Sequence, residues 1–458
     1  MLSSFTTQRI LLLLLMVALA FAVRALTANF IRDHLSDPSW FQSGSYAVFD
    51  SQAQAILDRR EPIFWNNDPA RTDRVIYPPG YPLWIAFIYK LSGNRSPVAV
   101  QRVQVLLDSF AVLLIIGIGV TAFDWRVGLI AGGLAALSPL LALAGATPNA
   151  DSPTSWFVLG GVWCLLLAYR REKLVFAIVA GALLGIACWL RVNPLFLFVM
   201  WAIALVVLTR AQKRRRFLLA GAMALTTLLT ISPVVIRNLV VFYPQIAPTG
   251  LGVGWNLLAG LGETERGPEF GAPASDAEMI EQDKKEMNVP AGARLELFYP
   301  DGIHRDRQRG QRALSIIASH PFWYTGVMAR RAASHLKLFG APSPHLGSAG
   351  INVTSQKCLP PQRQGGVIGL VVNVVGMTQS VLRWTVLPLM LVGIVIAWRK
   401  DWRVSALILA TVAYYLFTLA IGHSELRYGL PMQSLLLVFA GVTVATAIEV
   451  VLRRKQRA

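Results

Sequence analysis

Residues Gly422–Met432, "GHSELRYGLPM", place a histidine, a carboxylate and a guanidinium within a five-residue stretch between two apolar runs. The planar guanidinium of an arginine such as Arg427 keeps its charge and can bind two phosphate oxygens at once. A carboxylate such as Glu425 can hold an arginine in place or accept a proton from a reacting hydroxyl. The segment therefore has the residue types needed to handle an anionic substrate beside an apolar layer. A simple membrane-edge anchor is the alternative interpretation of the arginine.

Two further arginines end or follow apolar runs, Arg191 in "WLRVNP" and Arg237 in "SPVVIRNLVVF". Asp151, in "TPNADSPT", lies between two other apolar runs, and Asp108 lies inside one. Each acid taken alone fits a helix cap or an internal hydrogen-bonding partner, but ionisable residues within membrane segments are candidates for function.

Asp50 follows the first apolar run, in "SGSYAVFDSQAQAIL", and is predicted at the head of a short helix. Ala53, Ile56 and Leu57 share one face of that helix because their spacing is helical. At a helix start a carboxylate can serve as a cap, and this competes with a catalytic interpretation of Asp50. Downstream, the prolines of "YPPGYPL" prevent helix before them and mark where the chain turns into its next apolar stretch.

The composition predicts an all-α polytopic membrane protein. The 458 residues are 54% hydrophobic and only 15% charged, with a mean hydropathy of +0.51. A membrane helix needs about 20 apolar residues, so the chain is expected to hold about ten spans. They are predicted near residues 9–27, 100–123, 127–146, 153–169, 174–190, 193–209, 217–236, 379–398, 404–421 and 429–451.

The net charge of +18 does not indicate nucleic-acid binding, because the basic residues gather in short gaps between spans. These gaps alternate with gaps poor in Lys and Arg, so the positive-inside rule predicts cytoplasmic termini. Three regions follow: an N-terminal core over 1–240 with a periplasmic loop at about 28–96, a periplasmic loop over 241–378, and C-terminal helices over 379–458.

The long second loop is expected to contain one or two helices on the outer membrane surface, within "QRALSIIASHPFWYTGVMARRAASHLKLF". Its glycines at 250, 252 and 254 have the spacing of a dinucleotide-binding loop, but no βαβ pattern surrounds them. A turn or a loop beside a ligand is therefore the expected structure.

The order of "YPPGYPL", "LSPLLALAGATPNADS", "LRVNP", "SPVVIRNLVVFYPQIAPTGLGVGWNLLAG" and "SELRYGLPM" resembles the bacterial GT-C glycosyltransferases. The nearest group is family 39, the protein O-mannosyltransferase-like enzymes, with the aminoarabinose transferase of lipid A as a relative. The resemblance spans nearly the whole chain, and the Pro-x-x-Ile-Arg-Asn and Glu-x-Arg-Tyr-x-x-Pro elements are its most specific parts. It implies a GT-C fold, a sugar donor carried on polyprenyl phosphate, and inverting transfer to a hydroxyl at the periplasmic face.

The resemblance also implies roles for individual residues. An Asp of the first outer loop would be the general base; relatives carry it where this chain has Ser45, so Asp50 takes the role and Asp37 is the alternative. Asp151 matches a second acidic position of the family and is predicted, with Asp50 and Asp37, as a catalytic residue. The remaining assignments are donor-phosphate binding by Arg427, Arg237 and Arg191, and substrate orientation by Glu425, Tyr77, Asn238 and His423.

The predicted partners are a polyprenyl-phosphate-linked sugar, a glycan, lipid or protein acceptor, and the lipids of a bacterial inner membrane. No cofactor or metal site is expected because the acids are scattered, although a divalent cation is not excluded. Two rival functions use the same substrate, a flippase for a lipid-linked saccharide and a polysaccharide polymerase or ligase. A transporter typically shows internal pseudo-symmetry and paired broken helices, and the sequence indicates neither.

Overall fold

The structure is a computed structural model that describes residues 7–32, 35, 45–58, 72, 76–290, 293–336, 359, 366–423 and 425–457. Within these ranges the regular structure is helical, apart from one isolated bridge between Glu296 and Tyr299. The predicted all-α fold is confirmed.

Seventeen α-helices and one short 3₁₀ helix, Leu426–Gly429, form the described part of the chain. They are α1 Thr7–Ile31, α2 Ser45–Leu57, α3 Gly80–Ser92, α4 Pro97–Ala122, α5 Trp125–Leu137, α6 Pro139–Ala146, α7 Asp151–Arg171, α8 Leu174–Leu190, α9 Leu197–Leu208, α10 Lys213–Phe242, α11 Val253–Gly262, α12 Asp276–Glu286, α13 Gly302–Ser319, α14 Pro321–Leu336, α15 Val367–Lys400, α16 Trp402–Ala420 and α17 Leu430–Arg457.

The predicted spans correspond to described helices. Seven helices are long and apolar enough to cross a membrane, and the bent pair α5 and α6 supplies an eighth span. The shorter apolar helices α8 and α9 occupy the two remaining predicted positions. With these two short helices included, the described residues contain about ten membrane spans, as predicted for a multi-pass membrane protein.

The break between α5 and α6 has a local cause in the sequence. Ser138 stands outside helical geometry and its side chain accepts a hydrogen bond from Leu141 N, while Pro139 occupies the first position of α6. Proline has no N–H and cannot continue the preceding helix, so the two helices meet at a bend of 60°. The segment 127–146 was predicted as one span and is bent here, and this is the one bent pair among the described residues.

Two helix starts differ from their predicted positions. Helix α2 begins at Ser45, so Asp50 lies in its middle and does not cap it. Tyr46 and Phe49, which are buried, continue the face of Ala53 toward the N-terminus, so the helix starts earlier than predicted. Helix α15 begins at Val367, well before the predicted span at 379, because its first three turns are also apolar.

Glycines allow several helices to approach one another closely. A Cβ added to Gly181 of α8 would lie 2.2 Å from the carbonyl oxygen of Met223 in α10. One added to Gly393 of α15 would lie 1.8 Å from the carbonyl oxygen of Phe439 in α17. Small residues at helix crossings give the van der Waals contact that holds membrane helices together.

The basic ends of several helices lie together. The Arg9 guanidinium stacks 5.3 Å from the Trp125 ring centroid, and Arg215 Nε donates to the Glu172 carbonyl at 2.8 Å. Arg170 Nη2 lies 3.8 Å from an Asp401 carboxylate oxygen. These contacts join the start of α1, the start of α5, the α7–α8 turn and the α15–α16 turn at one end of the bundle.

The second loop contains α11 to α14, and two of these, α13 and α14, correspond to the helices expected there. The glycine-rich segment is a turn into α11. Asp306 of α13 accepts backbone hydrogen bonds from Gly252 at 3.1 Å, Gly254 at 3.3 Å and Trp255 at 2.8 Å. The amide groups that could surround a phosphate are thus already occupied by a carboxylate of the protein.

The shared basic end predicts a definite membrane orientation. Green fluorescent protein fused after Arg216 or after Lys400 should fluoresce, because both sites lie in basic turns that remain in the cytoplasm. Alkaline phosphatase inserted near Lys284 should be active, because the α12 region lies beyond the opposite end of the bundle. A phosphatase-active fusion at Arg216 would contradict this orientation.

Candidate functional site

Asp151 lies at the first position of α7, opposite the basic end of the bundle. Its Oδ2 accepts a hydrogen bond of 2.8 Å from Arg191 Nη2, and both side chains are buried. Asn149 Oδ1 accepts a second bond of 3.0 Å from the same Arg191 nitrogen. A carboxylate in the first turn of a helix is also favoured by the helix dipole. The turns before α7 and after α8 are therefore joined by a buried ion pair.

Arg427 approaches the same carboxylate from the C-terminal part of the chain. Its Nε lies 3.6 Å from Asp151 Oδ2 and is in contact with Glu425 Oε2. The contact with Glu425 lacks hydrogen-bond geometry, since both of these atoms are without a hydrogen-bond partner among the described residues. The 3₁₀ helix at Leu426–Gly429 turns the chain so that Arg427 faces α7 before α17 begins.

Aromatic rings surround the Arg191 guanidinium. Its central carbon lies 6.0 Å from the ring centroid of Phe49, 5.7 Å from that of Tyr77 and 5.3 Å from that of Tyr428. Burial raises the pKa of Tyr77, and the nearby Arg191 opposes this effect. The ring faces stabilise the cation and restrict its orientation.

His423 links this cluster to the second loop. Its Nδ1 lies 2.6 Å from Glu263 Oε1, its Nε2 lies 3.8 Å from Glu425 Oε1, and its ring packs 5.3 Å from that of Trp255. Burial lowers the pKa of the imidazole, but the hydrogen bond to Glu263 and the negative charges of Glu263 and Glu425 outweigh it and raise the pKa of His423 to about 9. Burial likewise raises the pKa of Glu425, and Arg427 then lowers it below its usual value.

These residues form one row of alternating charge. In order, it runs through Glu263, His423, Glu425, Arg427, Asp151 and Arg191. Each member has a neighbour of opposite charge, which offsets the cost of burying it. The row extends from the second loop to the end of α8, and it can hold guanidinium groups in fixed positions at one end of the bundle.

Arg237 and Asn238, near the end of α10, form a separate pair. Arg237 Nη1 donates to Asn238 Oδ1 at 2.7 Å, and the Asn238 amide donates to the Ala247 carbonyl at 2.7 Å. Arg237 is buried and has no carboxylate partner within the described ranges. A buried guanidinium without a counter-ion is costly, so Arg237 is suited to receive an anion.

Asp50 lies on α2, where its two oxygens accept hydrogen bonds from different helices. Tyr89 Oη donates to Oδ1 at 2.5 Å, and Gln54 Nε2 donates to Oδ2 at 2.7 Å. The ring of the adjacent Phe49 lies 6.0 Å from the Arg191 guanidinium. Among the described residues, no contact joins the Asp50 carboxylate to Arg191, Arg237 or Arg427. A carboxylate has further lone pairs, so Asp50 can still accept another proton donor.

Asp37, the alternative base, lies outside the described residues. No group of three or more His, Cys, Asp or Glu side chains suited to a metal ion occurs within the part of the chain that the structure describes.

Three residues of the site were not anticipated. Glu263, Asn149 and Trp255 hold His423 or Arg191 in place. Asn149 lies two residues before Asp151, in a motif already singled out, and could have been proposed with it. Glu263 and Trp255 are polar and aromatic residues of a long loop, with no spacing that indicates a partner more than 150 residues away.

The chain from residue 77 to residue 236 matches the family model for dolichyl-phosphate-mannose-protein mannosyltransferase. This match covers about a third of the chain and runs from just before α3 into α10. The chain has no detectable match among curated protein sequences.

Solved membrane-protein structures resemble the whole chain. Oligosaccharyltransferase from Archaeoglobus fulgidus tethered to an acceptor peptide gives a TM-score of 0.55 at 12% identity, over 97% of this chain and 50% of that one. The apo form of the archaeal enzyme gives 0.53 at 13% identity, over 98% and 51%. ArnT from Cupriavidus metallidurans, bound to undecaprenyl phosphate, gives 0.35 at 13% identity, over 96% and 78%. The chain thus spans about half the length of the archaeal structures.

The family match over residues 77–236 and the shared fold of the archaeal structures agree with the predicted resemblance to GT-C glycosyltransferases. The solved structures show that this chain has the same type of membrane fold.

The raised pKa of His423 predicts a pH-dependent stability. The charged imidazole stabilises the fold fully below its ordinary pKa of about 6.5, and this contribution is lost as the pH rises through about 9. The difference corresponds to an unfolding free energy on the order of 3 kcal/mol. The difference in melting temperature between wild type and His423→Gln, measured in detergent, should therefore shrink between pH 6 and pH 10.

His304→Gln removes an exposed imidazole and is the matched control for the substitution itself. A difference for His423→Gln that stays constant with pH would show that the imidazole charge does not stabilise this loop.

Proposed function

We propose that the protein is a glycosyltransferase that moves a sugar from a polyprenyl-phosphate donor to an acceptor hydroxyl at the extracytoplasmic face, with inversion. Arg191 and Arg427 bind the donor phosphate, and Arg237 is the third predicted phosphate ligand. The site faces away from the basic end of the bundle, which supports cytoplasmic termini and an inner membrane with the site on its outer face.

One observation carries this proposal. Arg191 and Arg237 each have a buried Nε–H group without a hydrogen-bond partner among the described residues, and Arg427 Nε lacks well-formed hydrogen bonds as well. Unpaired buried donors are costly, and a phosphate supplies the acceptor oxygens that they lack. The leaving lipid phosphate gains negative charge during transfer, and prearranged guanidinium groups stabilise that charge.

The two kinds of carboxylate have different proposed roles. Asp151 is held between Arg191 and Arg427, so it is proposed to orient both arginines. Inversion requires a base on the side of the sugar away from the phosphate. Asp50 on α2, or Asp37, is proposed to remove the proton from the acceptor hydroxyl.

Glu425 and His423 are proposed to fix the position of Arg427, while Tyr77 restricts Arg191 and Asn238 restricts Arg237. The acceptor is a glycan, lipid or protein hydroxyl. The reaction is proposed to need no metal ion. The chain is proposed to consist of three regions, divided at about residues 240 and 378.

Arg427→Lys separates a phosphate ligand from a membrane anchor. Lysine keeps the positive charge but loses the planar fork of donors, so binding of undecaprenyl phosphate should weaken by about 1–3 kcal/mol. This corresponds to roughly a tenfold to hundredfold increase in Kd, measured by thermophoresis in nanodiscs.

Arg399→Lys, at the basic end of the bundle, is the matched control and should bind like wild type. If Arg427→Lys also binds like wild type, Arg427 serves only as an anchor.

The Asp50→Asn variant tests whether Asp50 is the general base that removes the proton of the acceptor hydroxyl. The amide keeps the shape of the carboxylate but cannot accept the proton, so transfer should fall by at least roughly a hundredfold. Binding of undecaprenyl phosphate should remain unchanged, since Asp50 does not contact the arginines. Transfer is followed from radiolabelled polyprenyl-phosphate-mannose in membranes that supply the native acceptors. Full transfer by Asp50→Asn together with loss in Asp37→Asn would assign the base to Asp37.

A further inference from the structure

A second buried ion pair lies behind the arginine site, between α1 and α4. Arg24 Nε donates to Asp108 Oδ2 at 2.5 Å, and both side chains are almost completely buried. The other oxygen, Asp108 Oδ1, accepts hydrogen bonds from Ser152 Oγ and, at 2.5 Å, from Trp156 Nε1. One carboxylate thus joins two apolar membrane helices to the first two turns of α7.

Gly145 shows how closely the surroundings fit this carboxylate. A Cβ added to Gly145 of α6 would lie 2.4 Å from Asp108 Oδ2, so no larger residue fits there without a shift. Four helices therefore meet at one side chain. An ion pair buried in an apolar region is commonly replaceable by well-packed apolar residues without loss of stability. The stability of the fold alone therefore does not explain why the Arg24–Asp108 ion pair is buried between membrane helices.

The bonds from Ser152 and Trp156 act directly on the position of Asp151. Ser152 follows Asp151 in the chain, and Trp156 lies four residues after Ser152 on the same face of α7. Two donors on one face, bound to one fixed oxygen, prevent α7 from rotating about its axis. Asp151 projects from an adjacent face, so any rotation of α7 would carry its carboxylate away from Arg191 and Arg427.

The start of α17, which follows the segment that carries Arg427, also lies beside Asp108. A small cavity of about 20 Å³ beside Asp108 is lined by Arg24 and Ser152 and also by Leu430 and Ser434 of α17. Leu430 follows the 3₁₀ helix that carries Arg427. Both chain segments that bring charge to the site, the start of α7 and the start of α17, therefore lie next to Asp108.

We infer that Asp108 is a positioning residue for the phosphate site: through Ser152 and Trp156 it fixes the start of α7, and so holds Asp151 where it orients Arg191 and Arg427. Arg24 offsets the negative charge of the Asp108 carboxylate, which allows it to be buried between the helices. The inference rests on the proposed function only for its effect on phosphate binding, because the positioning itself is a property of the fold. A displacement of about 1 Å in a binding group is enough to change activity by about a hundredfold.

Two double variants isolate this role. Arg24→Met with Asp108→Asn removes both charges but leaves an oxygen that accepts from Ser152 and Trp156. Arg24→Met with Asp108→Leu removes the charges and that oxygen together. The first variant should bind undecaprenyl phosphate within threefold of wild type, while the second should bind at least tenfold more weakly. Both should melt within a few degrees of each other in the same detergent.

Cryo-EM structures of both variants in nanodiscs give a readout that needs no ligand. The 2.8 Å contact between Asp151 and Arg191 should be lost in the leucine variant and kept in the asparagine variant. If that contact persists in both, or if both bind phosphate equally well, Asp108 does not position the site. If wild type fails to bind undecaprenyl phosphate while the contact still differs between the variants, the phosphate proposal fails and the positioning role stands.

Discussion

The candidate site depends on one buried carboxylate, that of Asp151, which meets two guanidinium groups from distant parts of the chain. Arg191 arrives from the end of α8 and Arg427 from the turn before α17. Neither arginine would be stable in this buried position without a negative neighbour, since removing one partner of a buried ion pair is far more costly than the pair is worth. The Asp151 carboxylate therefore constrains the positions of α7, α8 and α17 at this end of the bundle.

The second loop takes part in the same constraint. His423 N donates to the Asn256 carbonyl at 2.7 Å, and Arg331 Nη1 donates to the Ala420 carbonyl at 3.4 Å. A Cβ on Gly260 would lie 2.5 Å from His423 N, so α11 touches the backbone that leads to Arg427. The loop helices and the membrane bundle thus form the site together, and neither would position Arg427 alone.

Membrane spans could be predicted well from the sequence because each requires a long apolar run, which is visible without tertiary structure. The bend at Pro139 was equally visible but was interpreted as part of a continuous span. Helix α2 was predicted with its apolar face at Ala53, which is fully buried, but its start was misplaced because that face continues through Phe49 and Tyr46, before Asp50. Patterns of hydrophobicity therefore identify the faces of helices better than their ends.

The site itself was only partly predictable. Its charged residues stand out because charge is rare beside membrane spans, and this led to Arg191, Asp151 and Arg427. Their pairing could not be read from the sequence, since any of several acids could have met any of several arginines. The contact between His423 and Glu263 joins residues 160 positions apart and depends entirely on how the second loop folds over the bundle.

The carboxylate of Asp306 at the start of α11 has an electrostatic consequence for the whole outer face. The amino end of a helix normally presents a partial positive charge and free N–H groups, which attract anions. Here the Asp306 carboxylate accepts hydrogen bonds from those N–H groups, and its negative charge offsets the partial positive charge of the helix end. A passing anionic headgroup is therefore not drawn to the loop by α11. Positive charge at the bundle end is instead carried by the guanidinium groups of Arg191 and Arg427, each beside a buried carboxylate.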